Sequence, residues 1–152
     1  MKQLFLVPMA ALMLGAGAGA GATTPQKGST ITVTVTNLRN ADGVVRACMT
    51  TTDKSFPKCR GVAGAHSAVV TAREGTLTLT FTGVQPGQYA IALLHDENEN
   101  GKADRALGMM PKEGFGFSRD APVRMGPPSF KDAVFEVGAQ DRAMTIKMRY
   151  ML

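Results

Sequence analysis

Polar and apolar residues alternate along much of the chain, as they do in β-strands with one buried face. From Ser29 to Asn37, the apolar residues Ile31, Val33 and Val35 alternate with threonines. Further segments alternate or form short apolar runs: 44–49, 67–72, 76–81, 89–94, 133–137 and 143–150. Helical periodicity is not sustained. About seven short strands joined by Gly, Pro and Asn turns predict an all-β fold, an antiparallel β-sandwich.

The residues between the first two predicted strands have the composition of a tight turn. They run from Asn40 through Ala41 and Asp42 to Gly43. Asp-Gly between two strand-like segments is typical of a β-hairpin. The sequence therefore predicts that the domain opens with a hairpin.

The alternation fails between residues 104 and 130, after the fifth predicted strand. Eight glycines and prolines punctuate this segment: Gly108, Pro111, Gly114, Gly116, Pro122, Gly126, Pro127 and Pro128. Irregular segments of this length are usually functional or disordered. The apolar side chains of Met109, Met110, Phe115 and Phe117 argue against disorder. We expect a long ordered loop that folds over one end of the sandwich and covers the loop beginning at Asp96.

Residues 1–22 have the three-part composition of a secretory signal peptide. Lys2 precedes an apolar run over 4–14 and a Gly/Ala tract over 15–22, with cleavage expected after Ala20 or Ala22. The run is shorter than the roughly 20 residues of a membrane-spanning helix. No cysteine near the cut could accept a lipid. We therefore expect a periplasmic or secreted product, residues 23–152, that forms a single domain with no membrane span.

The charge distribution bears on the partners of the protein. The formal net charge is +5, and the basic residues are scattered from Lys27 to Arg149 without forming a block. A nucleic-acid partner is not expected, because basic stripes and interleaved aromatic residues are missing from the sequence. We expect a monomer whose ligand is a protein, a glycan or a small molecule.

Cys48 and Cys59 are the only two cysteines of the chain. In an oxidising compartment, an even number of cysteines predicts a disulfide. A zinc or redox pair would more often have two residues between its cysteines, and here ten intervene. We therefore predict a structural Cys48–Cys59 bond.

Oxygen-bearing side chains recur at every second position after His95. In a calcium loop, positions 1, 3, 5, 7 and 9 would correspond to Asp96, Asn98, Asn100, the Lys102 carbonyl and Asp104, with Gly101 at the turn. Leu107 occupies position 12, where a bidentate Glu is expected, and Glu113 could substitute only if the following loop returns. The pattern predicts a weak site, with a Kd of about 10⁻⁴–10⁻³ M. The alternative is a metal-free turn in which Asp and Asn bind backbone N–H groups.

Two other kinds of chemistry can be considered. His95 with Met109 and Met110 could handle copper, although the sequence favours a hydrogen-bonded histidine beneath the long loop, because His ligation would require companions that the sequence does not supply. A hydrolase would use Ser118 with His95 and Asp96 or Asp120, but the chain lacks a nucleophile elbow, a phosphate loop and a metalloprotease helix. We therefore expect a non-enzyme without catalytic residues and with no cofactor other than calcium. A possible ligand surface comprises His95, Met109, Phe115, Phe117 and Arg119.

Several runs around the polar loop resemble one known family. They are Pro86–Ala90, His95–Asp104, Pro111–Ser118 and Gly126–Phe130, together with Gly108. Between about Ile31 and Leu152, the chain resembles DUF2141, a family of exported bacterial proteins of unknown function. The resemblance implies a β-sandwich similar to transthyretin-like or carboxypeptidase-regulatory-like domains, and it implies no activity. The leading hypothesis is a periplasmic binding or structural module.

Overall fold

A computed structural model describes residues 27–152, which form an almost entirely β structure. The strands are β1 Ser29–Leu38, β2 Val44–Thr50, β3 His66–Thr71, β4 Gly75–Val84, β5 Gly87–Asp96, β6 Arg105–Ala106, β7 Met110–Pro111, β8 Gly114–Phe117, β9 Phe135–Val137 and β10 Arg142–Lys147. One α-helical turn, Phe130–Ala133, and two 3-10 turns, Asp53–Ser55 and Ser118–Asp120, complete the regular structure of this range. The predicted signal peptide and its cleavage sites lie outside the described residues.

The strands form two main sheets and one small hairpin. The first sheet has the order β10-β1-β4, and the second has the order β3-β2-β5-β8, with β9 paired to the beginning of β5. The pairings are antiparallel apart from β1 with β10, which is parallel. The prediction of an all-β antiparallel sandwich is confirmed. Ten strands are present in residues 27–152, rather than about seven.

The core lies between the two sheets. Ile31, Val33 and Val35 of β1 have no exposed surface, and they belong to one cluster with Met49 of β2 and Ile91 of β5. Burying side chains of this size stabilises a fold by about 1.5–3 kcal/mol each. The alternation in the sequence thus reports which face of each strand is turned inward.

The predicted hairpin of β1 and β2 is wrong, because these strands lie in different sheets. Both strands have an apolar inward face, and crossing between the sheets lets the two faces meet in the core. Gly43 makes the crossing possible, since it has φ +65° and a Cβ there would lie 2.0 Å from the Asp96 carbonyl oxygen. Turn composition indicates that the chain reverses, but it does not specify the partner strand.

The segment after β5 is ordered, as predicted, and contains three short strands. β6 and β7 form a hairpin, and β8 pairs with β5, bringing Gly114 opposite His95 and Phe117 opposite Ala92. The glycines that obscure β8 in the sequence are required by packing. A Cβ on Gly114 would lie 2.4 Å from Cε1 of Tyr150. Gly114 therefore breaks the alternation because the Tyr150 ring occupies the space that a side chain would need.

The predicted disulfide is present. Cys48 of β2 and Cys59 are bonded, with their Cα atoms 5.7 Å apart, and both residues are buried. The bond fastens the irregular segment after β2 to the second sheet. Within residues 27–152, the helices are too short and too polar to cross a membrane.

Candidate functional site

The Asp96 loop, residues 96–104, is organised around a buried carboxylate. Asp96 has no exposed surface, and its Oδ2 accepts hydrogen bonds from Arg46 Nε at 2.6 Å and from the Gly101 N–H at 2.9 Å. Its Oδ1 accepts the Asn100 N–H at 3.1 Å. Burial raises the pKa of Asp96, but the bonds from Arg46 and the two N–H groups outweigh burial and lower this pKa below its ordinary value. The carboxylate is therefore held ionised.

The two asparagines of the loop direct their oxygens toward the loop backbone. Asn98 Oδ1 accepts the Asn100 N–H at 3.2 Å, and Asn100 Oδ1 accepts the Lys102 N–H at 2.8 Å. Both side-chain amides donate from Nδ2 to Asp104 Oδ2 at 2.7 Å. Asp96, Asn98, Asn100 and Asp104 are thus brought into one turn with Lys102. These bonds match the metal-free alternative, while calcium binding stays a prediction.

The chain returns to this loop at residues 110–114, which we call the return segment. The Lys112 N–H donates to the Asp104 carbonyl at 3.0 Å, and the Asp104 N–H donates to Glu113 Oε2 at 3.2 Å. Glu113 is only 4% exposed. Its buried Oε1 has no hydrogen-bond partner among residues 27–152. Glu113, a conditional substitute ligand in the sequence prediction, therefore does lie beside the Asp96 loop. One of its two carboxylate oxygens is unpaired.

Two of the five carboxylates of the Asp96 loop and the return segment are neutralised by arginines. Arg39 donates from Nε and Nη2 to Glu97 at 2.8 and 2.6 Å, and Arg46 pairs with Asp96. In the described part of the chain, these two contacts are the salt bridges. The carboxylates of Asp104 and Glu113 consequently have no cationic partner within salt-bridge distance.

A polar cleft of about 220 Å³ opens beside these groups. Its lining residues are Arg39, Glu97, Asn98, Asp104, Lys112 and Glu113. Burial raises the pKa of Glu113 above its ordinary value, the negative charges of Asp96 and Asp104 add to this effect, and the backbone N–H groups of Asp104 and, more weakly, Glu97 oppose it. Between residues 27 and 152, no three His, Cys, Asp or Glu side chains are grouped closely enough to hold a metal ion by themselves. A cation in the cleft would need amide, carbonyl or water oxygens as well.

We expect Glu113→Gln to stabilise the calcium-free protein at pH 7, because it removes a buried charge that lies beside the negative charges of Asp96 and Asp104. The glutamine oxygen can still accept the Asp104 N–H, while the new amide N–H groups take the place of Oε1, which has no partner among residues 27–152. Because the folded-state pKa of Glu113 is raised, the folded protein binds more protons than the unfolded chain between the ordinary and the raised pKa. Wild-type stability therefore falls as pH rises through that window, and the variant lacks this fall.

Thermal melting in EGTA from pH 4 to pH 8 measures this difference. The matched control is Glu99→Gln, which removes the same charge from an exposed position of the Asp96 loop. A Glu113→Gln protein that is less stable than wild type at pH 7 would show that the charged carboxylate is well accommodated.

His95 is a buried, hydrogen-bonded histidine. Its Nδ1 lies 2.7 Å from the Tyr150 hydroxyl, and its Nε2 lies 2.8 Å from the Asp42 carbonyl. Because the carbonyl can only accept, Nε2 carries a proton, and in the neutral ring Nδ1 accepts from Tyr150. A copper ion could bind Nδ1 only by displacing Tyr150. Met109 and Met110, the other expected copper ligands, lie in the β6–β7 hairpin and are 81% and 40% exposed.

The five residues of the predicted ligand surface do not share one exposed face. His95 is fully buried, and Phe117 is 7% exposed, with its ring packed against Phe56 at a centroid distance of 5.9 Å. Phe115 is half-buried, whereas Met109 and Arg119 are exposed. The aromatic side chains of the segment anchor it to the sandwich.

The residues considered for hydrolysis tie backbone segments together. Ser118 has no exposed surface, and its Oγ accepts the Ile91 N–H at 2.9 Å and donates to the Ala133 carbonyl at 2.5 Å. Asp120 Oδ1 accepts the Lys147 N–H at 2.8 Å. The Ser118 hydroxyl therefore uses both hydrogen bonds on backbone groups, and it does not form a nucleophile–base pair with His95.

Sequence reasoning missed the two arginines of the site. Arg46 is a lone charge within the apolar run 44–49, and such a charge requires a partner when the strand is buried. That signal predicts a buried ion pair, but it does not identify the partner. The partner is Asp96, which lies 50 residues further along the chain. Arg39 carries no comparable signal, since it follows β1 in a polar turn.

Comparison with known proteins identifies the family of the chain. A family described as an uncharacterised protein conserved in bacteria, DUF2141, matches residues 33–145. The chain belongs to the DUF2141 family. Its match runs from the middle of β1 to β10 and includes the Asp96 loop and the return segment, so both are parts of the DUF2141 region. No curated protein and no solved structure matches the chain.

Proposed function

We propose that this DUF2141 protein is a non-enzymatic periplasmic module that binds calcium weakly at the end of the sandwich formed by the Asp96 loop and the return segment. Calcium would fasten these two segments together and hold the region from Met109 to Phe130 in place as a binding surface for a protein, glycan or small molecule. The signal-peptide pattern over residues 1–22 and the Cys48–Cys59 bond support export.

The observation that carries this proposal is the contact between the loop and the return segment. Two backbone N–H groups, of Asp104 and Lys112, link the segments in opposite directions. The two segments carry five carboxylates, and only two of them are paired with arginines. Carboxylate and carbonyl oxygens are the ligands that calcium prefers, and extracellular modules bind it with a Kd of about 10⁻⁴–10⁻³ M.

We expect calcium to raise the melting temperature of the mature chain, residues 23–152. With a Kd of about 1 mM, calcium at about 10 mM would stabilise the folded state by about 1.4 kcal/mol. For a domain of this size, that corresponds to a rise in Tm of roughly 3–6 °C. Melting in CaCl2 is compared with melting in EGTA and in NaCl of equal ionic strength. Identical melting temperatures in all three solutions would remove calcium from the proposed function.

A further inference from the structure

We infer that the calcium ion binds in the cleft between Glu113 and Asp104, beside the Asp96 loop, and not inside the loop around Asp96. This inference rests on the proposed calcium binding and assigns its ligands. The sequence pattern makes Asp96 the first ligand and leaves Glu113 as a conditional substitute. The contacts in the structure favour the reverse assignment.

Asp96 is unsuitable because its carboxylate is already saturated. Its two oxygens accept three hydrogen bonds, one of them from the Arg46 guanidinium at 2.6 Å. An ion bound to Asp96 would either displace Arg46 or lie beside its positive charge. Asp96 also does not line the cleft, whereas Glu113 and Asp104 do.

Glu113 has the complementary properties. Its Oε1 is buried without a partner, and leaving a buried polar atom unsatisfied is costly. A proton would remove the charge but would leave the new O–H without an acceptor. A water molecule would satisfy Oε1 but would not neutralise Glu113 and Asp104, which form no salt bridge within residues 27–152 although Arg39 and Lys112 line the same cleft. A divalent cation both pairs with Oε1 and neutralises the two carboxylates.

Asp104 and Asn98 line the same cleft and extend the ligand set. Asp104 is partly exposed, and its Oδ2 accepts the two asparagine amides. Its Oδ1 forms no hydrogen bond within residues 27–152, so this oxygen is available to an ion. Rotating the Asn98 amide would supply a third protein oxygen. Water would fill the remaining positions, since calcium takes 6–8 oxygen ligands.

Calorimetric titration with CaCl2 at pH 7.5 tests the assignment in four proteins: wild type, Glu113→Gln, Asp104→Asn and the control Glu99→Gln. Each substitution removes one negative charge without changing the size of the side chain. We expect wild type and Glu99→Gln to have the same Kd within about twofold, since Glu99 is exposed to the screening solvent and does not line the cleft. Glu113→Gln and Asp104→Asn should each raise the Kd at least tenfold. Melting in EGTA verifies that every variant is folded.

The possible outcomes separate this assignment from the proposed function. If wild type binds calcium and Glu113→Gln or Asp104→Asn binds it equally well, the ion lies elsewhere and the assignment fails, while calcium binding stands. If Glu99→Gln loses as much affinity as Glu113→Gln, only the overall charge matters and the assignment also fails. If wild type shows no saturable binding, both the assignment and the proposed calcium binding fail.

Discussion

Replacing Arg46 with methionine is expected to lower the free energy of unfolding by about 3–5 kcal/mol, the usual cost of removing one partner of a buried ion pair. The Asp96 side chain has no exposed surface, so the substitution would leave its charge buried with only two N–H donors. Methionine retains an apolar stem of similar length, which limits the loss of packing. Urea denaturation at pH 7 measures the difference.

The control for this prediction is Arg73→Met, because Arg73 is exposed and forms no salt bridge with the described residues. Its effect should stay within about 0.5 kcal/mol. The lowered pKa of Asp96 stabilises wild type above the ordinary pKa of an aspartate, and this contribution is lost as pH falls through the lower, folded-state pKa. The gap between wild type and Arg46→Met should therefore narrow in acid. A gap at pH 7 as small as that of Arg73→Met would contradict the role of Arg46.

Removing the disulfide with Cys48→Ala/Cys59→Ala is expected to cost about 2–3 kcal/mol. The bond joins residues 11 positions apart, and closing a loop of this length restricts the unfolded chain. Alanine keeps both buried positions apolar. Chemical denaturation of the double variant, with reduced wild type as the control, measures the loss.

Reduced wild type and the double variant should unfold at similar denaturant concentrations, both below that of oxidised wild type. The intact mass of protein recovered from the periplasm should correspond to a chain cleaved after Ala20 or Ala22. It should also be lower than the mass of the reduced form by two hydrogen atoms. Equal stability with and without the bond would contradict its structural role. A full-length mass would contradict the predicted cleavage.

The sequence predicts strand faces better than strand partners. The alternation of Ile31, Val33 and Val35 with threonines reports burial directly, and β1 has the expected inward face. The partner of a strand depends on contacts distant in sequence, which is why the β1–β2 hairpin was wrong. β8 was not predicted because Gly114 and Gly116, which close packing requires, remove the side chains that create a pattern.

The candidate site was predictable to a similar extent. The composition of the Asp96 loop indicates a turn of carboxylate and amide groups, and the structure contains one. The state of each carboxylate depends on residues brought from elsewhere. The pairing of β2 with β5 places Arg46 beside Asp96, where the two form an ion pair. The return segment places Glu113 beside the loop without a salt-bridge partner in the described part of the chain. The sequence therefore identifies the region of the site. Tertiary contacts distinguish Asp96, which is already hydrogen-bonded and ion-paired, from Glu113, which has an unpaired oxygen.

Amide NMR of the uniformly ¹⁵N-labelled mature chain during a CaCl2 titration tests the central claim most directly, because the Asp104 N–H donates to Glu113 Oε2. We predict saturable shifts that are largest at Asp104 and Glu113, smaller at Asn100 and Gly101, and missing from the same titration of Glu113→Gln. Saturable shifts that are largest at Asn100 and Gly101, whose N–H groups bind Asp96, would contradict the assignment of the ion to Glu113. A spectrum unchanged by calcium would contradict calcium binding itself.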